Sequence, residues 1–167
     1  MKPKRNVFLA AIAVLALSLG GTIPTAMAQG IAAPVEGSWI FFLTPPPEGG
    51  PAGNNSFTAL VSFAAGGVWL GTGTNDRIAP VSELHGVWER IGPDRYGVTA
   101  HILAFDPTGH PVGVIKTNQV FQLTDKNDLV GVANARFCDL NAENCMPLPG
   151  ITTITGKRMI VEDLPDF

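Results

Sequence analysis

His85-Gly86-Val87-Trp88-Glu89-Arg90-Ile91-Gly92-Pro93-Asp94-Arg95-Tyr96-Gly97-Val98-Thr99-Ala100-His101-Ile102-Leu103-Ala104-Phe105 reads as strand, turn, strand. Both arms are rich in β-branched, aromatic and glycine residues, and the centre is a turn in which proline presets φ. The first arm carries Gly86-Val87-Trp88. The same Gly-x-Trp spacing recurs at Gly37-Ser38-Trp39 and Gly67-Val68-Trp69, and the three units hold every tryptophan of the chain. In a strand, positions i and i+2 share a face, so each glycine leaves room there for an indole to lie along the sheet. Two readings stay open: core tryptophans in glycine-rich strands, or tryptophans that plug or line a barrel.

The same pattern continues in both directions. Strands are expected at 37–43, 57–63, 68–72, 85–91, 96–105, 111–124, 129–138 and 151–161, the last interrupted only by Gly156. Turns stand between them: Ala65-Gly66-Gly67, a loop through Asn75-Asp76 and Pro80, Asp106-Pro107-Thr108-Gly109 as a type I turn with a glycine bulge, and Asp125-Lys126-Asn127-Asp128. Residues 44–56, with stiff Pro45-Pro46-Pro47 and loose Gly49-Gly50-Pro51, form a long loop suited to a lid. Helix signals are nearly missing from this region. The expected fold is all-β, an eight-stranded antiparallel up-and-down β-barrel, since eight strands suffice to close a sheet around side chains or one small ligand. A two-sheet β-sandwich is the alternative, although the Cys, Trp and Cys spacing of immunoglobulin domains is absent.

The chain opens with basic Lys2, Lys4 and Arg5, an uncharged apolar run at 7–19 and a small-x-small site at Ala26-Met27-Ala28. This is the layout of a signal peptide at 1–28 cleaved after Ala28. The run is short of the ~20 residues that span a bilayer. Residues 29–167 are then a single domain, secreted or periplasmic, with no membrane span in the mature protein. Without the three leader cations, 8 basic residues face 14 acidic ones, a net charge near −6. That balance argues against nucleic acid as a partner. Export favours a disulfide between Cys138 and Cys145 over a metal pair, because no histidine or further cysteine stands nearby.

Gly37-Ser38-Trp39 in the first mature strand, eight meandering strands and Arg158 late in the last strand resemble the lipocalin/calycin superfamily. The run from His85 through Asp106-Pro107-Thr108-Gly109 and Gly113 to Gly156-Lys157-Arg158 is also similar to small exported bacterial proteins of calycin-like shape. The resemblance implies that Trp39 closes one end of the barrel and that Arg158 packs across it, a cation–π contact worth about 0.5–2 kcal/mol. The Thr-Asp-Tyr element of many lipocalins is missing, so the resemblance bears on the barrel more than on the ligand-transport family.

Pairing the strands through plain turns puts Trp88, Thr99, His101, Leu103, Phe105, Ile115, Thr117, Gln119, Phe121, Leu123, Val132, Asn134 and Arg136 on one face. If the tryptophan marks the interior, Trp88, His101, Phe105, Thr117, Gln119, Phe121, Asn134 and Arg136 are the candidate ligand-binding residues, with a few polar groups converging in an apolar pocket. The expected function is binding of a small, partly apolar ligand. One alternative is isomerase or cyclase chemistry in the same cavity, which needs His101 or Arg136 inside. Another is a structural protein whose apolar outer wall makes a homo-oligomer. The three histidines have no metal-ligand spacing, and no nucleophile or phosphate-loop motif occurs. No cofactor is expected, and the balance leans away from an enzyme.

Overall fold

Alternation decides the fold. Trp39 and Phe41 are buried while their neighbour Phe42 is exposed, and Ala59, Val61 and Phe63 are buried with Leu60 exposed between them. A period of two with one face dry is a half-buried strand. The computed structural model of the chain describes residues 33–47, 55–74 and 80–162. The expected leader at 1–28 and residues 48–54 of the expected long loop lie outside the described residues.

The strands are β1 (Gly37–Thr44), β2 (Phe57–Ala64), β3 (Val68–Gly73), β4 (Leu84–Gly92), β5 (Arg95–Phe105), β6 (Pro111–Leu123), β7 (Asp128–Cys138), β8 (Met146–Pro147) and β9 (Thr152–Arg158). No helix occurs among the described residues. Each long strand pairs antiparallel with the next, β6 pairs β7, β7 pairs β9 and β9 pairs β1. Eight strands therefore close into an up-and-down barrel, as expected, and the sandwich alternative is discarded. The short β8 pairs with Arg136 and Phe137 on the edge of β7 that β9 occupies lower down. It carries the β9 side of the wall up to the rim.

One end of the barrel is packed with aromatic rings. Phe41, Phe63 and Phe121 meet pairwise at centroid distances of 5.1 to 6.4 Å. Trp88 stands edge-on to both Phe63 and Tyr96 at 5.9 Å. Each such pair adds about 0.5–1.5 kcal/mol to its area burial. The chain entering β1 seals this end, with Val35 fully buried and its carbonyl accepting from Trp39 Nε1 at 2.9 Å.

Arg158 holds the seal in place. Its guanidinium lies 4.3 Å from the Trp39 ring centre. Nη1 donates to the Glu36 carbonyl at 2.5 Å, Nη2 to the Pro34 carbonyl, and Nε to the Lys126 carbonyl at 2.7 Å. One side chain thus ties the entering segment to the β6–β7 turn. Gly37 makes this geometry available: its φ is +124°, and a Cβ there would meet Arg158 Nη1 at 2.8 Å. Burial draws the Arg158 pKa down, and the Tyr96 phenol opposes that shift.

Three pairings differ by one residue from plain turns. A bulge at Ile91 pairs Trp88 with Val98 rather than Thr99. A second bulge, after Ala104, pairs Thr99 with Asn118. The β6–β7 connection pairs Gln119 with Ala133, and Leu123 with Leu129. The first two shifts cancel between β4 and β6, so Trp88, Thr117, Gln119 and Phe121 do share the inner face. The strands β5 and β7 are turned over relative to expectation. Tyr96, Val98 and Ala100 face in and are buried, whereas Thr99, His101 and Leu103 face out. In β7, Leu129 and Ala133 face in, whereas Val132, Asn134 and Arg136 are exposed. A bulge leaves one residue unpaired and reverses every side chain beyond it.

Cys138 and Cys145 are joined in a disulfide. The loop they close folds over the outside of the β6–β7 wall, where Lys116 Nζ donates to the Ala142 carbonyl at 2.7 Å. Asp139 Oδ1 accepts from the amides of Asn141 at 3.1 Å and Glu143 at 2.8 Å. Val114, on the outer face opposite Cys138, is buried beneath the loop.

Candidate ligand-binding site

Away from the aromatic floor the barrel narrows its side chains. Gly71, Gly73, Ala59, Ala100, Ala133 and Ala135 occupy inward positions on β2, β3, β5 and β7. Small residues leave space, and an apolar-walled cavity of about 180 Å³ opens there toward the mouth. Phe41, Val61, Trp69, Ile102 and Ile115 supply most of its large apolar surface, and Leu43, Pro45, Phe57 and Val81 reach its outer part.

Trp69 is the indole in the cavity wall. It is fully buried, pairs across the sheet with Gly86, and rests over Gly71, two residues further along its own strand. A Cβ on Gly86 would lie 2.5 Å from the Thr99 carbonyl oxygen, so any side chain there forces the β4–β5 backbones apart. The indole N–H of Trp69 has no acceptor among the described residues, in contrast to Trp39 and to Trp88, whose Nε1 donates to the Ala64 carbonyl at 2.9 Å.

Two polar side chains enter the cavity from β6. Gln119 is only 6% exposed and its Nε2 donates to Thr117 Oγ1 at 3.0 Å. This is the one hydrogen bond its side chain makes among the described residues, so most of the amide's capacity remains unused. Glu83, at the mouth, is the sole ionisable residue in the lining among the described residues. The rim is braced by Ser82, whose hydroxyl donates to the Glu83 carbonyl at 2.8 Å and accepts the Leu103 amide at 2.9 Å. Opposite, Pro46 abuts Gly150, where φ is +75° and a Cβ would collide with the proline ring.

Of the residues singled out in the sequence, Thr117, Gln119 and Asn134 line this cavity. Phe121 and Trp88 face inward but belong to the packed floor. Phe105 sits beyond the β5 bulge, half-buried at the rim, with its amide bonded to the Pro80 carbonyl at 3.0 Å. His101 is exposed on the outer wall, paired with His85 on one side and Lys116 on the other. Arg136 continues that outer row beyond Lys116. Asn134 lines the cavity from the wall between Ala133 and Ala135, at an exposed strand position opposite Asn118. The expectation that His101 and Arg136 face the lumen is corrected by the bulges and the β6–β7 register, which also turn the Asn134 position outward in the cavity wall. The expectation missed Trp69, whose Gly-x-Trp signal was present, together with Ile102 and Ala133, whose inward facing depends on those registers.

A second, shallower groove of about 460 Å³ runs along the outer wall over Leu60, Ser62, Leu70, His85 and Met159. No helix among the described residues is long and apolar enough to cross a membrane.

No family model matches the chain, and no curated protein matches it. Among solved structures, the chain is similar to one described as EF1p2_mFAP2b bound to DFHBI, at 14% identity and a TM-score of 0.46. The match covers 75% of this chain and 94% of that one.

Proposed function

We propose that this is an exported, calycin-like binding protein that holds a small, largely apolar molecule in the barrel mouth. The observation that carries the reading is the cavity itself: about 180 Å³, apolar-walled, entered at one end and closed at the other by packed aromatic rings. A concave apolar site with a few placed polar groups is the usual form of a small-molecule pocket. The basic n-region, apolar run and Ala26-Met27-Ala28 site support export, and a Cys138–Cys145 disulfide suits an oxidising compartment. Native mass spectrometry of the mature protein purified from its own host tests the reading. A bound small molecule released on denaturation is the expected result; protein that carries nothing and takes up no apolar probe would count against it.

A second reading, self-association, rests on the outer wall. Phe42, Leu60, Val68, Leu70 and Val87 are exposed on the adjoining strands β1 to β4. An apolar patch of this kind is a common subunit contact. The isomerase or cyclase alternative required His101 or Arg136 in the cavity, and with both on the outer wall it is not carried forward.

A further inference from the structure

Resting on the cavity-binding reading, we propose that Gln119 and Thr117 select the ligand: a neutral molecule of about one ring, carrying a single hydrogen-bonding group at its buried end.

Three observations define this class. The first is size. A cavity of about 180 Å³ is close to an engineered apolar cavity of about 150 Å³ that binds benzene, and is smaller than the ~300–1,000 Å³ pockets that take larger ligands. A long acyl chain or a fused ring system would extend past the mouth and leave part of its apolar surface in water. The second is charge. No Lys, Arg or His lines the cavity among the described residues, and Glu83 stands at its mouth. A carboxylate or phosphate entering there would lose its hydration with no cation among the described lining residues to replace it, a cost larger than the apolar gain. The third is the polar pair. Gln119 is more than nine-tenths buried, lines the cavity and spends one hydrogen bond on Thr117. Its carbonyl oxygen is left to accept and the Thr117 hydroxyl hydrogen is left to donate. Rotating the amide by half a turn exchanges these roles, so the pair matches a hydroxyl, an amide or a carbonyl and brings no charge of its own to an ion. A ligand that satisfies this amide gains over an apolar isostere, which would cover it and leave it unpaired.

The test is calorimetric titration of the oxidised mature protein with four probes: p-cresol, toluene, benzoate and decanoate. The expected order puts p-cresol about tenfold tighter than toluene, the worth of one well-made buried hydrogen bond, with benzoate and decanoate weaker than both. In Gln119→Leu the advantage of p-cresol over toluene disappears while toluene binding persists. Thr117→Val serves as an independent second variant and shifts the ratio in the same direction. Equal affinity for p-cresol and toluene, an unchanged ratio in both variants, or tightest binding of benzoate or decanoate would overturn the ligand class and leave cavity binding standing. Binding of none of the four would overturn the class together with the reading beneath it.

Discussion

Arg158 reaches carbonyls on either side of the closed end while lying against Trp39, so its replacement has several consequences at once. Arg158→Met keeps the aliphatic stem but strips the fork of donors and the charge over the indole. We expect a loss of about 2–3 kcal/mol in chemical denaturation, allowing for partial solvent access to the freed carbonyls. Arg158→Lys recovers only part of it, because an ammonium does not span the Glu36 and Lys126 carbonyls. This pair was legible in the sequence through the resemblance to the lipocalin/calycin superfamily, which implies a first-strand tryptophan with a late arginine packed across it. The glycines of the three Gly-x-Trp units were legible as a pattern and not as individual roles. Gly37 admits the Arg158 guanidinium, Gly67 turns the chain at φ +84° against the Trp88 carbonyl, and Gly86 lies opposite Trp69. The glycine that lies against an indole is Gly71, two residues after Trp69 on its own strand and outside the Gly-x-Trp units, whereas Gly86 admits the close β4–β5 approach.

At the scale of elements, β5 shows why a correct strand count left half the lumen misassigned. Its residues alternate, but both faces carry apolar side chains: Val98 and Ala100 on one, Leu103 on the other. Hydrophobicity alone therefore does not choose the face, and the bulges at Ile91 and after Ala104 do. Gly86→Ala tests the close β4–β5 approach that these registers create. The added methyl meets the Thr99 carbonyl and Ala100 backbone, and a loss of about 1–3 kcal/mol is expected in thermal or urea unfolding. The disulfide loop is a second element with a measurable share. Cys138→Ser with Cys145→Ser releases the short loop of the unfolded chain and is expected to cost about 2–3 kcal/mol. Because the following segment brings Gly150 against Pro46 at the rim, the same double variant is expected to weaken ligand binding, which titration of the folded variant measures.

For the molecule as a whole, the exposed turns set the acid limit. Asp106 is held below its usual range by the Thr108 hydroxyl and the His110 amide, Asp125 by the Asn127 amide, and Asp139 by the Glu143 amide and Asn144. A carboxyl whose folded pKa is depressed contributes stability above its ordinary value of 3.8, and that contribution is lost as pH falls through the folded value. Unfolding at fixed urea is therefore expected to begin below about pH 4. The triple variant Asp106→Asn, Asp125→Asn, Asp139→Asn should flatten that limb. At the alkaline end, Asp128 raises Lys157 above 10.5, so its contribution is complete below that pH and fades as pH rises through the raised value. The exposed apolar residues of β1 to β4 act at this scale too: light scattering across a concentration series is expected to show a dimer that Leu60→Glu with Leu70→Glu dissolves.

The cavity between Trp69 and Gln119 is the centre of the account, and the indole N–H groups give it a direct reporter. Trp39 and Trp88 have theirs bonded to the Val35 and Ala64 carbonyls, while that of Trp69 is free of a partner among the described residues. A proton–nitrogen correlation spectrum of the labelled protein, titrated with p-cresol, separates them. Saturable shifts of the Trp69 indole and the Gln119 side-chain amide, with Trp39 and Trp88 unmoved, are the predicted result. Shifts confined to Leu70, His85 and Met159 along the outer groove, or no saturable shift at all, would contradict it.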